Sequence, residues 1–294
     1  MRIIKRIFTK EDTKEVSSAQ RAVPVWGPRI ITITSGKGGV GKTNLAVNLA
    51  IALLQLEQRV IIFDADLGMA NVDVLLGVTP QLTLYDHLYK NVPIENILLP
   101  GPGGLKIIAG GSGFMELANL SNTQRFWLME NIDKLNKLAD FILIDTGAGI
   151  SKDVLAFCAA ANEVVIVITP EPTSLTDAYG LIKVLDKFKL HREIHLIVNQ
   201  ARSHNESAGA VNRLKDVAAK YLFIKINFLG DIVYDQSVCR AVKSLQPFLL
   251  HNPNAKASAA VKKIAYTMLY KKEPEVIEDR GMRSFINKMT RLFR

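Results

Sequence analysis

The chain has 294 residues, 48% of them hydrophobic, enough for one α/β domain with a full core. Its two cysteines, Cys158 and Cys239, are far apart in apolar, helix-like stretches; they read as buried free thiols and exclude a disulfide scaffold. The formal net charge is +9, but residues 1–29 carry +4 and residues 271–294 carry +3, so the body is near neutral and nucleic acid is not expected as its partner.

Residues 1–28 read as an N-terminal extension. Lys5 and Arg6 interrupt any apolar region at the start, so no signal peptide is expected, and Pro24-Val25-Trp26-Gly27-Pro28 punctuates entry to the first strand. From 29 to 270 strand and helix patterns alternate. Apolar runs predict strands at 30–34, 60–63, 106–109, 141–144, 164–169, 195–198 and 226–229. Helical periodicity is expected over 43–56, 122–138, 152–161, 174–188, 208–221, 235–244 and 256–270. The layout is that of a doubly wound, mostly parallel sheet with helices on both faces. Gly110-Gly111-Ser112-Gly113 reads as a structural turn, since no lysine follows it. No apolar run is long enough to span a bilayer.

Residues 271–279 are charged, include Pro274, and read as a linker. In 280–294 the apolar residues Met282, Phe285, Ile286, Met289, Leu292 and Phe293 recur at helical spacing, with Arg283, Lys288, Arg291 and Arg294 mainly off the stripe. Bulky apolar residues opposite purely basic charge suit an anionic membrane surface; the alternatives are a terminal helix packed on the chain's own core and a partner-protein groove. The expected location is cytoplasmic and peripheral on the inner face of the cell membrane.

The stretch with the most chemistry is Ser35-Gly36-Lys37-Gly38-Gly39-Val40-Gly41-Lys42-Thr43, followed by Asn44, between the first strand and the first helix. Glycines let successive N–H groups turn inward, and the helix N-terminus adds positive partial charge, so the loop is built to cradle phosphates. Gly36, Gly41, Lys42 and Thr43 fit the G-x-x-x-x-G-K-[ST] template, in which the lysine reaches the β/γ-phosphates and the hydroxyl ligates magnesium. ATP and Mg²⁺ are the expected cofactors. Lys37 is a second lysine inside the loop, where an ordinary phosphate loop needs none.

Asp145 ends the run Phe141-Ile142-Leu143-Ile144, a strand that delivers a carboxylate beside the loop threonine to hold hydrated Mg²⁺. Asp64 and Asp66 follow the second strand, on the ligand side of such sheets; Asp66 could orient a water on the γ-phosphate or hold a magnesium-bound water, and either could cap a turn. Asn199 ends a strand with an amide that could match the edge of adenine. Asp231 and Asp235 flank the last strand's turn; either could contact nucleotide or cap the following helix, and Asp235 reads as the cap.

These residues resemble the deviant Walker A loop, Lys37 to Thr43, of the MinD/ParA group of P-loop ATPases, and the resemblance covers 29–270. Asp64 to Asn71 is similar to that group's switch I, and Asp145 to Gly149 to its switch II. Within the group the chain most resembles the FlhG (FleN/YlxH) type, the ATPase of flagellar placement and number, through Asp64–Gly77, Asp145–Ser151, Pro170–Tyr179 and Gln246–Leu250. The resemblance implies a slow, partner-regulated ATPase that forms an ATP-dependent homodimer. Lys37 would then reach the partner's ATP phosphates, Asp66 would position the attacking water, and 280–294 would attach to membrane. It also implies the FlhF GTPase and flagellar switch-complex proteins as partners. The opening Met1-Arg2-Ile3-Ile4 departs from the Asp-Gln-Ala…Leu-Arg motif by which that type stimulates FlhF. A related ATPase positioning another cargo, the division site or nucleoid-bound DNA, is the alternative. An iron–sulfur carrier would need paired interface cysteines, which Cys158 and Cys239 do not provide.

Overall fold

Alternation along the central strands divides the protein into two faces. Ile31, Ile33, Leu143, Val165 and Val167 enter one core, while Ile30, Ile142, Ile144, Val164 and Ile166 point to the other side. The computed structural model describes residues 27–66, 72–109, 120–270 and 281–292. The N-terminal extension through Trp26, the turn Gly110–Gly113, the switch-like stretch Leu67–Asn71 and the linker lie outside them.

In chain order the elements are β1 (Arg29–Ser35), α1 (Lys42–Gln55), β2 (Val60–Ala65), α2 (Val72–Leu76), α3 (Leu84–Lys90), β3 (Leu99–Pro100) and β4 (Lys106–Ala109). There follow α4 (Asn122–Leu138), β5 (Phe141–Ala148), α5 (Lys152–Ala160), β6 (Glu163–Ile168), α6 (Pro172–Lys187), β7 (Glu193–Ala201) and α7 (His204–Tyr221). The chain continues through β8 (Lys225–Val233), α8 (Gln236–Lys243), α9 (Phe248–His251), α10 (Lys256–Tyr270) and α11 (Met282–Leu292). The eight strands run in the order β3-β4-β2-β5-β1-β6-β7-β8, all parallel except the two-residue β3. The mostly parallel, doubly wound sheet expected from the apolar runs is therefore present.

Helix α1 is buried against one face together with α10; α4, α5, α6, α7 and α11 cover the other. Helix starts follow capping chemistry. Ser121 and Gln124 bond reciprocally at the start of α4, and Ser151 accepts the Val154 N–H at the start of α5. At the N-terminal end of the strands Arg29 makes two hydrogen bonds to Glu163, at 2.8 and 2.9 Å, and donates to the Met268 carbonyl of α10 at 2.7 Å. Burial works to raise the Glu163 carboxyl, but His195 and Arg29 overcome it and hold it at about 2.

The tail departs from its expected setting. Helix α11 forms, yet the stripe expected to meet a bilayer is turned inward: Met282, Phe285, Ile286 and Met289 are each no more than 1% exposed. They join a core with Ile132, Leu135, Ala156 and Phe157, and Phe285 stacks on Phe157 with centroids 6.4 Å apart. Met282 N–H donates to Asn136 Oδ1 at 2.9 Å, and Arg283 pairs with Asp133 at 2.7 Å. An apolar helical face fits a groove of its own chain as well as a lipid surface, and a charged linker does not prevent its return. A ten-residue connection reaches at most about 35 Å. Phe293 and the Leu292 side chain lie outside the described residues. A correction concerns Cys239, which is exposed, whereas Cys158 is buried as expected.

Candidate nucleotide-binding site

The glycine-rich loop leaves the C-terminal end of β1 between β5 and β6, the two strands paired to it. Two close approaches explain why glycines stand at its ends. A Cβ on Gly36 would lie 2.4 Å from the Asp177 carbonyl carbon of α6. Gly41 has φ +82, and a Cβ there would lie 2.4 Å from Asn199 Nδ2. Gly41 is also the N-cap of α1. It offers no side-chain cap, and the first turn has no acid, so the leading N–H groups are open to an anion.

Strand pairing brings the charged groups together. Ile33 of β1 lies opposite Asp145 of β5, and Asp145 lies opposite Asp64 of β2. Lys42, the first residue of α1, donates from Nζ to Asp145 Oδ1 at 2.7 Å; the two side chains are 8% and 0% exposed. Burial pushes the Asp145 carboxyl up, Lys42 and the Thr43 hydroxyl pull it back, and the net result is a rise. Its second oxygen, Oδ2, is buried with no hydrogen-bond partner among the described residues, and so is Asn44 Oδ1. These are orphaned acceptors on the walls of a phosphate cradle. An unpartnered carboxylate oxygen beside a threonine hydroxyl is a donor set that suits a hard divalent cation.

The other acids divide by role. Asp64 accepts the Val72 N–H through Oδ2 at 3.0 Å and the Asp66 N–H through Oδ1 at 3.2 Å, so it pins the chain on both sides of residues 67–71. Asp66 lines the phosphate-side pocket, and a Cβ on Gly147 would be 3.6 Å from its Oδ1. Asp235 is the N-cap of α8 and also accepts the Ala257 N–H at the start of α10, as its reading as a cap expects. Asp231 pairs with His204 at 2.7 Å in a separate groove between β8 and α10, away from the loop.

Lys37 is held within its own chain. Its Nζ lies 2.7 Å from Glu171 Oε2 and 3.1 Å from Thr173 Oγ1 at the start of α6. Asn199 Nδ2 donates to the Val40 carbonyl at 2.8 Å and so fastens the loop to β7, while Oδ1 accepts the neighbouring Gln200 N–H at 3.0 Å; the residue also lines the more apolar of the two pockets described next.

Two adjoining pockets share Gly41 and Asn44. One, of about 420 Å³, is lined by the loop, Asp66, Leu75 and Leu245. The other, of about 410 Å³, is more apolar, with Ile232, Tyr234, Val238, Cys239 and Phe248 on its walls. Together they offer a polar cradle for phosphates and an apolar slot for a ring. The sequence reading missed the slot and the Glu171 tether. The slot is assembled from β7, β8, α8 and α9, and Glu171 is 134 residues from Lys37, so no local pattern announces either.

Residues 31–248 match the family described as the CobQ/CobB/MinD/ParA nucleotide binding domain. The antiactivator FleN of Pseudomonas aeruginosa is 41% identical over 237 residues, which is 81% of this chain and 85% of FleN. The flagellum site-determining protein YlxH of Helicobacter pylori is 34% identical over 264 residues, 89% of each chain. Among solved structures, the septum site-determining protein MinD of Pyrococcus horikoshii, complexed with Mg-ADP, superimposes with a TM-score of 0.65 at 28% identity. It covers 83% of this chain and 96% of its own. Loop, sheet order and matches agree: the chain belongs to the MinD/ParA family of nucleotide-binding ATPases, as an FlhG-like member.

Proposed function

We propose that the chain is a slow ATPase switch whose ATP-bound form dimerises, attaches to membrane and controls the placement and number of flagella. The observation that carries the nucleotide chemistry is the buried Lys42–Asp145 pair with an unpartnered Asp145 Oδ2. Lys42 would exchange Asp145 for the phosphates of a bound triphosphate. Thr43 and Asp145 would hold Mg²⁺, which would satisfy the orphaned oxygen. Gly38, Gly39 and Val40 supply backbone N–H groups around the phosphates. Asp66 lines the same pocket and positions the attacking water.

In this reading the described conformation is the resting one. Lys37 is tethered to Glu171, and the tail helix is docked through Met282, Phe285, Ile286 and Met289. ATP draws Lys37 toward a second copy, and dimerisation frees two tails to engage an anionic bilayer together, which raises avidity without new contacts. Hydrolysis reverses both steps. The flagellar assignment rests on the likeness to FleN and YlxH, and the FlhF GTPase and switch-complex proteins are the partners it calls for.

The test is vesicle co-sedimentation with light scattering. Lys37→Ala and Lys42→Ala should stay monomeric and gain no vesicle binding on addition of ATP, whereas Asp66→Ala should persist as an ATP-bound dimer with increased vesicle binding. A monomeric Asp66→Ala protein with no ATP-driven increase in vesicle binding would overturn the switch.

A further inference from the structure

Opposite the nucleotide end, two connections lie side by side at the N-terminal ends of β7 and β8. The first is Lys187-Phe188-Lys189-Leu190-His191-Arg192, and the second is Lys220-Tyr221-Leu222-Phe223-Ile224-Lys225. They are joined by the Lys225 N–H donating to the Arg192 carbonyl at 2.9 Å and the Phe223 N–H donating to Asp186 Oδ1 at 3.1 Å. Three aromatic rings stand out from this surface: Phe188 is 62% exposed, Tyr221 71% and Phe223 99%. Val217, one helical turn before Tyr221, adds a fourth apolar side chain that is 43% exposed.

Neither hexapeptide contains an acid, and between them they carry five exposed cations: Lys187, Lys189, Arg192, Lys220 and Lys225. Asp186 bonds the Phe223 amide and Glu193 bonds the Asn227 side-chain amide and Lys225; Asp216, exposed beside Val217 and one helical turn before Lys220, is the acid at the rim, so the cations outnumber the exposed acid. Leaving a phenylalanine almost wholly in water has no folding benefit, and clustered exposed rings mark a contact surface.

We infer that this aromatic and basic end of the sheet is a second contact for an anionic lipid surface, made by the body of the protein itself. Rings at loop tips with cations beside them match the headgroup region, where aromatic side chains sit at the boundary and lysine or arginine meets anionic lipid. The rings stand on two connections, Phe188 on one and Tyr221 and Phe223 on the other, and are not laid on a sheet face as a platform for stacked bases. The docked tail shares this end of the sheet. Its first residue bonds to Asn136 at the end of α4, and burial together with the nearby Lys288 charge opposes protonation of His191. A tail released there leaves beside the patch, and the phosphate loop is at the opposite end, so pairing through ATP leaves the patch uncovered.

The inference takes its setting from the membrane reading above but makes a separate claim: lipid binding that does not need ATP. The experiment uses the full chain with vesicles of phosphatidylcholine alone or with about one third phosphatidylglycerol, in ADP and in ATP. The wild type should bind the anionic vesicles in ADP. The triple substitution Phe188→Ser, Tyr221→Ser, Phe223→Ser should weaken that binding at least about tenfold while leaving any ATP-driven increment. Charge reversal of Lys189 and Lys220 should cost about fivefold per cation relative to neutral substitution. All these residues are exposed, and matched melting curves check the fold. If baseline binding depends on the patch but ATP adds nothing, the tail reading fails and the patch stands. Equal vesicle binding by wild type and triple variant would overturn the patch. So would a wild type that ignores anionic vesicles while duplex DNA or an unrelated acidic protein binds through these residues.

Discussion

Removing Lys42 should do more than abolish nucleotide binding. The Lys42→Ala variant leaves Asp145 buried, 0% exposed, with its Oδ2 already without a partner among the described residues, and with only the Thr43 hydroxyl left to favour its charge against burial and the Asp66 carboxylate. Breaking one side of a buried ion pair costs about 3–5 kcal/mol, so the nucleotide-free variant should be destabilised by about that amount at neutral pH. The penalty has a definite pH dependence. Burial already raises the Asp145 carboxyl above its ordinary value, and without Lys42 it should rise further. A folded-state pKa above the unfolded one makes the folded protein bind the extra proton, so the penalty shrinks as pH falls through the folded value. The double variant Lys42→Ala, Asp145→Asn removes the stranded charge and should recover most of the loss without regaining ATP binding. Urea unfolding by circular dichroism at neutral and mildly acidic pH, with calorimetric ATP titration, reads all of this. A single variant as stable as wild type at both pH values, or a double variant less stable than the single, would refute the reasoning.

The Arg29–Glu163–His195 cluster predicts acid sensitivity. A carboxyl held at about 2 against an ordinary 4.5 contributes about 3 kcal/mol of stability that is present above the unfolded value and lost as pH falls from 4.5 toward 2. Glu163→Gln should flatten the stability profile across that window, and an unchanged slope would count against the assignment. The thiols should separate by location: burial pushes Cys158 up to about 12, whereas Cys239 is exposed on the apolar half of the nucleotide cleft. A thiol reagent should therefore modify one cysteine per native chain, and Mg-ATP should slow it. Equal labelling of both, or no effect of nucleotide, would contradict the pocket assignment.

Much of the frame is legible in the residues because continuous apolar runs and capped helices carry local signals. The predicted 106–109 strand and the helices at 122–138 and 256–270 coincide with β4, α4 and α10. Short elements leave no periodicity to read, so the five-residue α2, the four-residue α9 and the two-residue β3 were not anticipated. The loop, Lys42 and Asp145 could be found because a template and a strand end point to them. The Glu171 tether on Lys37 and the fastening of the loop by Asn199 depend on chain crossings of more than 130 residues. Periodicity identifies an apolar face but not what covers it: α11 is packed on α4 and α5 in the described conformation, the alternative to a bilayer that the sequence left open, and Cys239 lines a cleft where a core was expected.

The central claim is that nucleotide state decides whether the tail helix stays docked. Amide hydrogen exchange over residues 282–292, compared in Mg-ADP and in Mg-ATP with the hydrolysis-blocked Asp66→Ala chain, tests it most directly. The account predicts slow exchange in ADP, with Met282 N–H held by Asn136, and rapid exchange once ATP has paired two chains. Equally slow exchange in both states, in a sample that light scattering shows to be dimeric, would contradict it.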